Sequence, residues 1–169
     1  LALVSGVRAM TQHGLSTFLP LYLVNDLKVP AALLGLYVSL VQVSGMVATP
    51  IAGTLSDRIG PKRVATAGMF TTSLVILGFA AFDVGQAFVV VLALMGFFVY
   101  SMRPAIFRWA IGLVPRQYEG TAVGTLFTTQ ALFSTAMPLV GGYIADRFGL
   151  LAVFYFIAGT VLVANLAVF

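Results

Sequence analysis

The octapeptide GTLSDRIG at positions 53–60 recurs with identical spacing as GYIADRFG at positions 142–149. Both copies have the form Gly-x-aliphatic-x-Asp-Arg-x-Gly, and each follows a long apolar stretch. Charged residues followed by a glycine are typical of the point where a helix ends. The repeat therefore predicts two equivalent helix ends, and the apolar stretches around them decide what kind of helix they terminate.

The composition indicates that lipid surrounds this chain. Of its 169 residues, 60% are hydrophobic and 8% are charged, and the mean hydropathy is +1.06. A soluble domain of this length carries about 25% charged residues. There is no cysteine, which excludes a disulfide scaffold, thiol catalysis and thiolate metal sites. The net charge of +4 is scattered without a basic run, so nucleic acid is not an expected partner.

Six apolar stretches predict six transmembrane helices. A helix of about 20 residues spans the roughly 30 Å hydrocarbon core of a bilayer. Short polar breaks with turn and capping residues separate the stretches. Both ends of the chain fall inside apolar stretches, so we expect a piece of a longer protein. The predicted helices lie near Leu1–Val24, Ala31–Gly53, Val64–Phe82, Gln86–Val114, Thr121–Tyr143 and Leu150–Phe169.

Lysine and arginine are unevenly distributed among the predicted connections. The connection between the second and third helices holds Arg58, Lys62 and Arg63, and that between the fourth and fifth holds Arg116. Each of the other connections holds one basic residue at most. Because positive residues are retained in the cytoplasm, these two connections and both ends of the chain are expected to be cytoplasmic.

The two copies of the octapeptide then lie on opposite faces of the membrane, since three helices separate them. An identical exit motif on opposite faces is what an inverted repeat of three helices plus three produces. We therefore predict an all-α polytopic membrane protein. It is one six-helix bundle over residues 1–169, built from triplets at about residues 1–82 and 86–169.

The signature segment, GTLSDRIGPKR at positions 53–63, resembles the loop between the second and third helices in a half of a major facilitator superfamily transporter. Pro61 stands where a basic residue is usual, but Lys62 and Arg63 supply positive charge. The resemblance implies a transporter of twelve helices in two halves, of which this chain is one. The junction at positions 114–124 is more similar to second halves, including those of fosmidomycin-resistance-like exporters, so we favour the C-terminal half.

The same resemblance implies that the signature segment is a conformational latch. In this interpretation Asp57 sits against a helix N-terminus or an arginine and holds one conformation until the halves rock. The alternative is that the segment only sets topology, with its basic residues anchored to anionic lipid. The predicted latch residues are Gly53, Asp57, Arg58, Gly60, Lys62 and Arg63.

The fifth helix partly resembles the glycine-proline motif of some antiporters, over positions 124–142. Phe133 and Met137 occupy two positions where that motif has glycine. The segment therefore does not distinguish an antiporter from a symporter.

Two arginines lie deep within predicted helices, at a similar depth on the cytoplasmic side of the midplane. A charge in hydrocarbon is costly even on lenient insertion scales, so such a side chain usually faces protein or water. Arg8 belongs to a polar stripe with Ser5 and Gln12, at three- and four-residue spacing. We expect Arg8 and Arg103 to converge on one cavity and hold a carboxylate or phosphate. The alternative is that each pairs with an acid of the missing half or caps carbonyls at a kink.

Polar stripes on the first, second, fourth and fifth helices predict that these four line a path while the third and sixth lie toward lipid. His13, beside the first stripe, can exchange a proton near neutral pH and so carry a coupling proton; a packed neutral histidine is the alternative. Arg108 and Trp109 are expected to anchor the fourth helix at the membrane surface. The predicted substrate-binding residues are Arg8, Gln12, His13, Gln42, Tyr100, Arg103 and Gln130.

Together these features predict a secondary transporter that moves a small anionic or amphipathic solute by alternating access, coupled to a proton or another ion. A non-transporting membrane scaffold and a membrane enzyme are the alternatives. An integral enzyme needs a nucleophile, a metal cluster or paired carboxylates at depth, whereas the predicted spans hold one histidine and no acid. The expected partners are the substrate, the coupling ion, the bilayer and the other six-helix half, in the bacterial cytoplasmic membrane. No cofactor or metal is expected.

Overall fold

The computed structural model describes residues 1–79 and 86–166. Within these ranges the chain forms α-helices and a short 3-10 turn at Arg116–Tyr118, and no strand. The predicted all-α architecture is confirmed. The predicted helix ends at residues 80–82 and 167–169 lie outside the described residues. The helices, numbered α1 to α6, span Ala2–Asn25, Ala31–Ile59, Pro61–Phe79, Gln86–Ile111, Glu119–Phe148 and Leu150–Leu166.

Three segments of the described chain are long and apolar enough to cross a bilayer on hydropathy alone. They are Ala31–Ile59, Ala87–Ile111 and Arg116–Phe148. The apolar helix α6 is shorter, at 17 residues within the described range. Helix α1 has 24 residues and carries the polar stripe, and the 19-residue α3 starts next to two basic side chains. Polar groups that face protein lower the mean hydropathy of a helix although they do not face lipid.

The turn between α2 and α3 is shorter than the sequence predicted. Helix α2 continues past Gly53 to Ile59, and α3 begins at Pro61 rather than Val64, so Gly60 alone separates them. Proline fits the first position of a helix, where no intrahelical partner exists for its missing N–H group. Most of the signature segment is therefore the last turn of one helix and the first turn of the next.

The second copy of the octapeptide ends in the same way. Helix α5 continues to Phe148, and Gly149 alone separates it from α6. Gly60 and Gly149 have φ angles of 94° and 87°, a region that glycine adopts without a Cβ clash. Their amides donate to the carbonyls of Ser56 and Ala145, each four residues earlier. The repeated sequence thus gives a repeated backbone conformation.

Helix packing follows a symmetric pattern. The most extensive contacts join α2 to α4 and α1 to α5. Helix α3 packs on α4, helix α6 packs on α1, and α3 and α6 also pack on each other. If α1 is exchanged with α4, α2 with α5 and α3 with α6, the same pairs of helices are in contact. A two-fold repeat of three helices gives such a pattern. The main contacts join a helix of one triplet to a helix of the other.

Two features fix the spacing of the bundle. Aromatic rings of Phe79, Phe88 and Phe154 pack with centroids 5.2 to 5.3 Å apart and join α3, α4 and α6. Helices α2 and α4 approach most closely at Gly96, where an added Cβ would lie 2.2 Å from the carbonyl oxygen of Val41. Only a residue without a side chain permits that approach.

Candidate functional site

Arg8 is buried inside the bundle, with 3% of its surface exposed. Its Nη1 donates to Oε1 of Gln12, one turn along α1, at 2.8 Å. Its Nη2 donates to Oε1 of Gln130 on α5 at 3.4 Å. Its Nε is buried and has no partner among the described residues. The guanidinium is therefore held by neutral amide oxygens, which leave its positive charge uncompensated within residues 1–79 and 86–166.

Gln130 joins this arginine to a third residue of the polar stripe. Its Nε2 donates to Oγ of Ser5 at 2.6 Å while its Oε1 accepts from Arg8. The two bonds fix which end of the amide faces each partner. The structure thus brings together Arg8, Gln12 and Gln130 of the predicted site in one network between α1 and α5.

A second polar pair lies between α2 and α4. The hydroxyl of Tyr100 donates to Oε1 of Gln42. With Gln12, these side chains line a cavity of about 110 Å³, whose remaining walls are mostly apolar. Ligand pockets usually measure about 300 to 1,000 Å³. This cavity alone is too small for a drug-sized solute.

Arg103 lies apart from this network. Its side chain is exposed and makes no hydrogen bond or ion pair with any described residue. It lines a separate open cavity of about 410 Å³ with Thr49, Pro104, Phe107 and Phe127. Arg8 lines neither this cavity nor the smaller one, so the described half does not place both arginines in the wall of either; the guanidinium of Arg8 bonds to Gln12 and Gln130 instead.

The two cavities are lined by four helices. Side chains of α1, α2 and α4 form the smaller one, and those of α2, α4 and α5 the larger one. No residue of α3 or α6 lines these two cavities. Residues of α6 line a separate, mostly apolar cavity of about 630 Å³ with α1 and α5, and residues of α3 line one of about 240 Å³ with α4. His13 is exposed on α1 and makes no hydrogen bond or ion pair within the described chain.

The C-terminal end of α4 is bound to the signature segment. Asp57 forms an ion pair with Arg108, whose Nη1 also lies 3.5 Å from the carbonyl oxygen of Gly53. The ammonium of Lys62 lies 5.9 Å from the ring centroid of Trp109. Arg108 and Trp109, expected at the membrane surface, contact the end of α2 and the start of α3. The remaining predicted latch cations, Arg58 and Arg63, are exposed.

The second copy of the octapeptide has different electrostatics. Asp146 makes no ion pair with any described residue, and the guanidinium of Arg147 lies 4.8 Å from the ring centroid of Tyr143 on its own helix. The two copies therefore share a backbone conformation, but only the first is bound to a neighbouring helix by its aspartate.

Sequence reasoning missed the aromatic walls around Arg103. Phe107 lies four residues after Arg103 on α4, and Phe127 lies three residues before Gln130 on α5. These spacings place each phenylalanine on the same helical face as a predicted site residue. A projection of both helices would have included them.

A sequence profile of the Major Facilitator Superfamily matches residues 1–169. The chain belongs to the Major Facilitator Superfamily. Members of this superfamily are multi-pass membrane transporters, so membership supports a transporter and not an enzyme. The signature segment and the six-helix bundle agree with that assignment.

Curated superfamily members resemble this chain over part of their length. The multidrug resistance protein MdtG of Serratia proteamaculans (strain 568) is 36% identical over 132 residues, which cover 76% of this chain and 31% of the relative. The multi-drug resistance efflux pump PmrA of Streptococcus pneumoniae serotype 4 (strain ATCC BAA-334 / TIGR4) is 29% identical over 131 residues, covering 77% and 32%. The chain spans about a third of the length of these relatives.

A solved superfamily fold also matches. The crystal structure of a bacterial homologue of the iron transporter ferroportin, in an outward-facing state, superposes with a TM-score of 0.76. The match covers 99% of this chain and 44% of that chain, at 18% identity. At this identity the likeness shows the fold alone.

Proposed function

We propose that this chain forms one six-helix half, the C-terminal one, of a secondary transporter that moves a small anionic or amphipathic solute by alternating access. The relatives named as a multidrug resistance protein and an efflux pump favour export. The protein would reside in the bacterial cytoplasmic membrane with both ends of this half in the cytoplasm. The two triplets, residues 1–82 and 86–169, are its inverted repeats.

The observation that carries the proposal is the uncompensated guanidinium of Arg8. A scaffold that only spans the membrane gains nothing from such a buried charge, which is costly to insert. Gln12 accepts from Arg8 and also lines the smaller cavity, so the buried charge lies one hydrogen bond behind the wall of the proposed path. A solute with a negative group is stabilised there, because charges interact more strongly away from water.

The proposed coupling ion is a proton. His13 is exposed one residue beyond Gln12 on α1, and histidine is the side chain that most readily changes charge near neutral pH. The acids of the described chain lie at helix ends or in connections, away from the middle of the helices. Asp83 lies outside the described residues.

The proposed latch is the contact between the signature segment and α4. The Asp57–Arg108 ion pair joins the cytoplasmic ends of α2 and α4, and Lys62 with Trp109 adds the start of α3. Both residues belong to this half, so the pair stabilises one position of the signature segment by a modest amount, and its loss changes how that segment meets the other half when the halves rock. It would bias the inward–outward balance without preventing exchange.

The test is transport by the complete protein in proteoliposomes, over organic anions and hydrophobic drugs, with and without a pH gradient. Arg8→Ala is expected to lower anion transport about 10-fold, because the solute loses its attraction to a buried positive charge, and to spare uncharged drugs. Arg8→Lys, which keeps the charge, should retain part of the activity. Arg116→Ala, at an exposed site in the α4–α5 connection, is the matched control.

Two results would contradict the proposal. Wild-type anion rate and affinity in Arg8→Ala would remove the role of the buried charge. The absence of any solute movement by a folded, correctly inserted protein would favour a non-transporting scaffold.

A further inference from the structure

The cavity around Arg103 combines one cation with an aromatic wall. At about 410 Å³ it is within the usual size of ligand pockets, unlike the smaller cavity near Gln12. Arg103 supplies the charge, and Pro104, Phe107 and Phe127 supply apolar surface. Such a cavity orients an amphipathic ligand, because the charged and apolar ends of the ligand have different walls to contact.

The two phenylalanines come from different helices and form one surface. Their ring centroids are 5.4 Å apart and their planes are inclined by 60°. Phe127 keeps 49% of its surface exposed, so its ring is available for a further contact. A third ring can pack against this pair in the tilted or edge-on arrangements that aromatic groups prefer.

The remaining polar group of the cavity does not compete for the arginine. The hydroxyl of Thr49 donates to the carbonyl of Gly45 at 2.9 Å, within α2. Arg103 has no hydrogen-bond or ion-pair partner in the part of the chain that the structure describes. Its five N–H donors are therefore free to bind a planar anionic group bidentately.

The two arginines then have different tasks. Arg8 is too deeply buried to touch a solute in the larger cavity, and two of its donors are bonded to Gln12 and Gln130. Arg103 is exposed in that cavity. Arg103 makes the direct contact with the anion. Arg8 attracts the anion by its positive charge without touching it.

We propose that this cavity binds an aromatic carboxylate, with the carboxylate on the guanidinium of Arg103 and the ring against Phe107 and Phe127. The inference rests on the proposed function, since it names the class of anionic solute that the transporter takes. It also assigns Phe107 and Phe127 as residues that select aromatic over aliphatic anions.

The test measures binding of three radiolabelled probes to the complete protein in detergent by equilibrium dialysis. 1-Naphthoate has the ring and the charge, 1-naphthamide has the ring alone, and octanoate has the charge alone. Naphthoate should bind at least about 10-fold more tightly than naphthamide, and Arg103→Gln should remove that difference. Arg103→Lys should restore part of it, because the charge remains without the planar fork.

The aromatic part is tested by Phe127→Leu. This variant should weaken naphthoate binding about 5-fold and leave octanoate binding unchanged, because only the ring contact is lost. Phe70→Leu is the matched control, since Phe70 lies on α3 with 51% of its surface exposed, outside the cavity. Thermal unfolding of each variant shows whether the protein is folded during the measurement.

The outcomes separate this inference from the proposed function. Equal loss of naphthoate and octanoate binding in Phe127→Leu overturns the aromatic selectivity. Unchanged naphthoate binding in Arg103→Gln, with a lower unfolding temperature, overturns the anion contact and assigns Arg103 to pairing with an acid of the other half. If the protein transports other solutes but neither binds nor is inhibited by naphthoate, only this inference fails.

Discussion

Replacement of Gly96 by alanine is expected to push α2 and α4 apart. The added Cβ would lie 2.2 Å from the carbonyl oxygen of Val41 and 2.8 Å from its carbonyl carbon and Cα. These are backbone atoms, so no side-chain rotation relieves the clash. Ordinary contact begins at 3.4 Å, so the helices must separate locally by roughly 1 Å.

The expected destabilisation is about 2 kcal/mol. Overpacking of a close contact costs about 1 to 3 kcal/mol, and a gap of 0.5 to 1 Å removes a quarter to a half of the dispersion energy of nearby atoms. Alanine regains up to about 1 kcal/mol through its higher helix propensity. The Tyr100–Gln42 hydrogen bond joins the same two helices, so its loss would add to the effect.

The measurement is the free energy of unfolding of the complete protein in detergent, by denaturant titration. Gly78→Ala on α3 is the matched control, because a Cβ there meets no atom within 4 Å. The control should be unchanged or more stable by up to about 1 kcal/mol. Equal stability of the two variants would refute the argument that backbone approach at Gly96 sets the spacing of α2 and α4.

Two further predictions concern the signature segment. Asp57→Asn should change stability by less than about 1 kcal/mol, because the Arg108 pair is half-exposed, yet shift the balance toward the inward-open state. Side-specific thiol labelling measures that shift, since an introduced cysteine is the only thiol of this half, and an unchanged labelling pattern counts against the latch. Gly60→Ala should lower stability by roughly 1 to 2 kcal/mol because alanine at a φ of 94° is strained. Gly53→Ala, within α2 and facing open space, should not, and equal unfolding temperatures would contradict the backbone argument.

Helix number and the equivalence of the two octapeptides could be predicted because both depend on local chemistry. Apolar length determines whether a segment can span a bilayer, and a glycine after Asp-Arg ends a helix in the same way at Gly60 and Gly149. Helix ends were less predictable. At a membrane surface, the backbone N–H and C=O groups of a charged segment such as Asp57-Arg58 can bond to each other in a helix or to water in a loop. The sequence therefore does not decide at which residue the helix ends.

The partners of the site residues could not be predicted from periodicity alone. The stripe on α1 predicted that Arg8 and Gln12 share a face, but not that Gln130 of α5 would bond to the same guanidinium. The pair of Asp57 with Arg108 likewise depends on how α2 packs on α4. Such contacts join positions far apart in sequence, and spacing within one helix carries no information about them.

The order of helix packing has a consequence for biosynthesis. Helix α1 leaves the ribosome long before α5, its main partner, so Arg8 enters the membrane before Gln130 exists. Until then Gln12, one turn away on the same helix, is the only one of the two amide partners of Arg8 in this half that is present. The first three helices therefore cannot complete their packing in the bilayer alone. Assembly of this bundle waits for the second triplet to be synthesised.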